Sequence, residues 1–110
     1  MDNESQLAKA KAEDLADYIS YSDGSIVSKT LLDKKAGTVT LFAFDSGQGL
    51  SEHRAPFDAM VYILDGCAKI FIAGKPQNAA AGQIIVMPAN IPHAIKAQER
   101  FKMLLIMIRS

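Results

Sequence analysis

Two periodicities divide the chain. Through residue 24 the apolar positions Leu7-Ala8, Ala12, Leu15 and Tyr18-Ile19 recur at helical spacing, with Asn3 or Ser5 placed to cap the first turn. The Ala-rich stretch 8–16 has good helix propensity. Together these features predict a short N-terminal α-helix over residues 4–19, laid on a domain surface or on a neighbouring subunit. Asp23-Gly24 then marks a turn.

Beyond that turn the apolar positions alternate with strand periodicity. Runs rich in Val, Ile, Leu, Phe and Met occupy 26–32, 38–44, 59–64, 68–73, 83–87, 93–97 and 101–108. Turn clusters separate them, among them Lys34-Lys35-Ala36-Gly37, Asp45-Ser46-Gly47-Gln48-Gly49 and Ala81-Gly82. Short strands with such punctuation read as an all-β sandwich or closed barrel. Asp65-Gly66, between two strand patterns, predicts a hairpin turn because both residues tolerate a positive φ. The chain thus divides into an N-terminal helical extension, 1–24, and a β-barrel domain, 25–110. The last strand, 101–108, is apolar on both alternating faces, so a second sheet layer or a partner chain should cover its outer side. In so small a domain a symmetric homodimer is the expected cover.

Composition narrows the function classes. The 110 residues are 49% hydrophobic, enough for one core. Twelve basic and 12 acidic residues cancel, which argues against a nucleic-acid or anionic-membrane partner. The sum hides an asymmetry, because Asp2, Glu4, Glu13, Asp14, Asp17 and Asp23 outnumber Lys9 and Lys11 in the extension. An acidic extension beside a mildly basic barrel gives the two parts a reason to dock. A single Cys leaves no internal disulfide, Cys-rich zinc module or CxxC redox site. With no apolar run of membrane-span length and a polar N-terminus, a cytoplasmic location is expected.

Two histidines carry the candidate chemistry. His53 follows Gly47 and precedes Gly66, while His93 follows Gly82, Pro88 and Pro92. These stretches resemble the paired motifs of the cupin superfamily, with Asn90 in a glycine position and Ala97 where an asparagine would stand. The resemblance covers roughly 25–108 and implies a double-stranded β-helix, or jelly roll, with the short N-terminal helix added. It also implies a four-ligand site for a divalent metal such as Mn, Fe, Ni or Zn. Carried over residue by residue, His53 matches the first ligand and His93 the last; Ala55 stands for the second His and Ala59 for the Glu. Asp58 or Glu52 could supply a carboxylate, although each is one residue out of phase with the inward set unless a bulge intervenes.

Alternation then predicts an apolar lumen. If Ala59 faces inward, so do Val61 and Ile63, then Ala68, Ile70 and Ile72 past the turn, with Ile84, Val86 and Ile95. A small-molecule pocket would centre on His53, Ala55, Ala59, Val61, Ile70, Val86 and His93. No catalytic residue is assigned. Cys67 falls in the outward phase, Ser51 lacks a nucleophile elbow, and Met60, Met87, Met103 and Met107 read as core or interface filler. Three functions stay open: a ligand-binding barrel without the full metal site, a metal-dependent isomerase or oxygenase with a reduced site, and a structural interaction module.

Overall fold

The computed structural model describes residues 10–109. Eight strands follow a short lead-in: β1 (Ile26–Lys34), β2 (Gly37–Phe44), β3 (Gly49–His53), β4 (Ala59–Ile72), β5 (Lys75–Ala80), β6 (Ile84–Met87), β7 (His93–Lys96) and β8 (Phe101–Ile108). All pairings are antiparallel, and β4 belongs to both layers. Its first half pairs with β8 and β6, extending the β1-β2-β8 sheet. Its second half pairs with β7 and β5, and β3 completes that layer beyond β7. The result is a jelly roll with one long strand bent across its corner.

The bend lies at Asp65-Gly66, where the sequence predicts a hairpin. The structure places a β-bulge there instead: the register against β8 slips by one residue between Ile63 and Asp65. Gly66 has φ 73°, and a Cβ on it would sit 2.1 Å from the Arg100 carbonyl oxygen. Both the left-handed backbone and this close approach demand glycine. The extra residue flips the phase of β4, so Ala59, Val61 and Ile63 are buried before it, and Ala68 and Ile70 after it. A hairpin and a bulge predict the same inward residues, but only the bulge passes one strand from layer to layer.

The core between the layers includes these residues with Phe44, Met87, Ile95, Phe101 and Met103. Phe44 and Phe101 stack with ring centroids 4.5 Å apart, directly under the β4 corner. Burying each such side chain contributes about 1.5–3 kcal/mol. The phase predicted for β6 is corrected: Ile84 and Val86 are 55% and 52% exposed, while Ile85 and Met87 pack inward. Every position of Ile84-Ile85-Val86-Met87 is apolar, so alternation gave no phase; pairing of Met87 with Ala59 and Ile85 with Val61 sets it.

The predicted N-terminal helix is also corrected. Residues 10–24 contain only a 3-10 turn at Leu15–Asp17, and the 4–9 part of the prediction lies outside the described residues. Packing overrides the modest apolar stripe. Leu15, Tyr18, Ile19 and Tyr21 join Leu31, Leu41, Ala43 and Leu104 in a second cluster on the outer face of the β1-β2-β8 layer. Basic side chains of the barrel hold this segment down. Lys102 Nζ donates to the Ala16 carbonyl, Lys29 Nζ to the Tyr18 carbonyl, and Arg100 to both Asp23 and Asp45. Arg100 and Lys102 also lie over the Tyr21 ring, whose hydroxyl donates to Asp65 beside the bulge.

Candidate functional site

A bulge brings the two histidines together. In the β3–β7 ladder Leu50 stands opposite Ile95, but the partner of His93 is His53 rather than Glu52. One extra residue in β3 between Leu50 and His53 makes this difference. In an unbroken ladder Glu52 would oppose His93 and His53 would face outward. The imidazole centroids are 4.5 Å apart with the rings edge-to-face at 69°.

The two rings have different surroundings. His53 is exposed, and its Nδ1 lies 3.1 Å from the Ser51 carbonyl oxygen. A carbonyl only accepts, so Nδ1 carries the proton and Nε2 holds the free lone pair. His93 is 6% exposed, and its Nδ1 is shut off from solvent. Burial, and next the neighbouring His53, hold its pKa below the ordinary imidazole value, against a smaller opposing influence from the Ile91 backbone. His93 is therefore neutral at pH 7.

Two loops fix this arrangement. Asn90 takes φ 64°, a left-handed conformation that Asn tolerates, and its N–H donates to the Ala55 carbonyl at 2.7 Å. The adjacent Ala89 N–H donates to Asp58 Oδ1 at 2.8 Å. These bonds tie the Pro88–Pro92 loop to the one after β3, so the chain enters β7 with His93 turned inward.

Behind the rings is a cavity of about 60 Å³. Its remaining walls are Leu50, Ala55, Ala59, Met87, Ile95, Met103, Leu105 and Met107. Ala59 sits between Met87 on β6 and Met107 on β8. Of the residues the sequence nominates for a pocket, His53, Ala55, Ala59 and His93 line this cavity. Val61 and Ile70 are buried in the core and are not part of its wall. Val86 is on the outer face of its sheet, one residue out of phase, and cannot contribute. Leu50, Leu105 and the three methionines are the wall residues the sequence named neither for the pocket nor for the lumen. Their strand phase was readable for β8, but nothing in the sequence placed β6 beside Ala59.

A four-ligand divalent site does not fit these residues. Asp58 is engaged as an acceptor for the Ala89 N–H, and Glu52 is exposed on the far side of the bulge. Neither carboxylate lines the cavity. Among the described residues no cluster of three His, Cys, Asp or Glu side chains could hold a metal ion. Cys67 is half-buried, near Asn78 and Glu99 and away from the histidines. A larger open depression beside Glu13, Asp14 and Asp17 belongs to the N-terminal segment and holds neither histidine.

Residues 40–109 match the family pattern described as the cupin domain. The chain belongs to the cupin family. It is similar to a conserved protein of unknown function from Streptococcus pyogenes, with 40% identity, TM-score 0.90, and coverage of 94% of this chain and 91% of the other. A cupin 2 conserved barrel domain protein from Leptotrichia buccalis is 44% identical, with TM-score 0.83, over 86% of this chain and 46% of the other. A cupin superfamily protein from Desulfitobacterium hafniense is 28% identical, with TM-score 0.89, over 94% of this chain and 95% of the other. No curated protein matches the chain. In this cupin the jelly roll brings His53 and His93 together, and Ala55 and Ala59 stand at the other two positions where the family resemblance implies metal ligands.

Proposed function

We propose that this cupin is a ligand-binding barrel whose site is the His53–His93 pair and the cavity behind it. The observation that carries this reading is the pairing itself: His93, a largely buried imidazole, lies on the wall of an apolar cavity with the exposed His53 ring 4.5 Å away. His53 stands at the exposed side, where a ligand would enter. A cavity of about 60 Å³ suits an ion or the end group of a small molecule. It is well below the roughly 300 Å³ of a pocket that encloses a metabolite.

The chemistry offered is binding. An imidazole presents a lone pair and an N–H to a ligand, and no carboxylate lines the cavity beside the pair. The reduced metal site in which Asp58 or Glu52 joins the pair finds no support, because neither carboxylate lines the cavity. The test is a thermal-shift screen of short carboxylic acids, amides, alcohols and late first-row metal ions. Probes that stabilise the wild type should lose their effect in both His53→Gln and His93→Gln. Stabilisation that survives both substitutions would overturn the reading.

We also propose that the protein is a cytoplasmic homodimer. The free thiol of Cys67 suits a reducing compartment. Among the described residues no helix is long and apolar enough to cross a membrane. Ile84, Val86, Tyr62, Leu32 and Ile108 are exposed on the layer that contains β8. Val86, Met60, Ile106, Val39 and Leu32 stand in one row across five strands. An apolar row of this kind, exposed at Leu32 and Val86, suits a twofold contact.

A further inference from the structure

The cavity has an unusual donor set. Its polar side chains are two imidazoles, and three of the protein's five methionines complete it: Met87, Met103 and Met107. Met87 and Met107 are the two ladder partners of Ala59, at the position where the family resemblance places a carboxylate. The His53 Nδ1–H is engaged by the Ser51 carbonyl, which orients its Nε2 lone pair as second-sphere hydrogen bonds do at metal-binding histidines. His93 adds a second, largely buried imidazole to the wall. The thioethers carry no charge, and no carboxylate lines the wall.

Charge and softness select the occupant. The cost of burying an ion rises with the square of its charge, so a divalent cation without an anionic ligand pays about four times that of a monovalent one. Thioethers are soft donors that favour Cu(I) over Mn, Fe, Ni or Zn. The volume admits an ion more readily than a metabolite. We propose that the cavity binds a soft monovalent cation, Cu(I) or its redox-inert analogue Ag(I), through His53, His93 and the thioethers of Met87, Met103 and Met107. This rests on the reading of the histidine pair as the ligand site and specifies what the site holds.

The test is anaerobic competition for Cu(I) between the full chain and bicinchoninate, in a Cys67→Ser background that removes the competing thiol. One equivalent of Cu(I) should pass to the protein. The Met87→Leu/Met107→Leu double variant, which conserves side-chain volume, should bind at least tenfold more weakly while keeping its thermal transition. With Ag(I), the methyl carbons of Met87, Met103 and Met107 should shift in NMR spectra, and that of Met60 should not. No transfer of Cu(I), or transfer unaffected by the methionine substitutions, overturns the proposal. If the histidine substitutions still abolish stabilisation by another probe, the binding site stands and only the soft-cation assignment falls. Cu(I) binding indifferent to both His53→Gln and His93→Gln would sink site and assignment together.

Discussion

His53 faces His93 across the β3–β7 ladder because a bulge removes Glu52 from that position, leaving imidazole centroids 4.5 Å apart. The pair is electrically coupled, since His53 is the second cause, after burial, of the depressed His93 pKa. His53→Ala should therefore raise the His93 pKa part of the way toward its ordinary value, leaving the burial contribution in place. Imidazole NMR titration of chelator-treated protein reads this directly. A His93 pKa unchanged by the substitution would contradict the coupling.

The same depression predicts a pH dependence of folding. His93 is neutral in the native state at pH values where the unfolded chain already binds its proton. The unfolded state then holds more protons, so stability should fall as pH drops below about 6.5. The slope is at most about 1.4 kcal/mol per pH unit for one proton. Urea unfolding of chelator-treated wild type should show this loss, and His93→Gln should show a shallower one. Equal slopes would indicate that His93 is as easily protonated in the fold as outside it.

The corner of β4 should be intolerant of a side chain. Gly66→Ala combines a left-handed backbone with a Cβ 2.1 Å from the Arg100 carbonyl oxygen, so we expect a loss of about 3 kcal/mol or more. Gly82 has φ 89° but open space around it, and Gly82→Ala should cost about 1–2 kcal/mol. Chemical denaturation of the two variants compares them. Equal losses would mean that the close approach at the bulge contributes nothing.

The outer face gives a separate prediction. Val86→Lys and Ile84→Lys should convert a dimer to a monomer in sedimentation velocity with the fold retained. Met87→Ala, one residue away but facing inward, should cost about 2–5 kcal/mol. A wild type that sediments as a monomer at micromolar concentration would refute the dimer.

Much of this architecture was legible in residue patterns. Alternation placed Ala59, Val61, Ile63, Ala68 and Ile70 inward, and the motifs around Gly82, Pro88 and His93 indicated the jelly roll. Other features needed tertiary context. β3 reads Gly49-Leu50-Ser51-Glu52-His53, and β5 contains Pro76, Gln77 and Asn78, so neither has the apolar alternation of a half-buried strand. Whether Asp65-Gly66 turns the chain back or bends it onward depends on the free edges of β8 and β7, which lie elsewhere in the sequence. The phase of the all-apolar β6 and the course of residues 10–24 are likewise set by what they pack against. For the site, the histidines could be read from spacing, whereas the methionine wall emerges only when β6 and β8 are laid on either side of Ala59.

The most direct measurement is a high-resolution crystal structure of protein purified without chelator, examined at the His53–His93 pair. Ordered non-protein density is predicted in the cavity, within bonding distance of both imidazoles. A dry cavity, or a lone water beside the two rings, would contradict this.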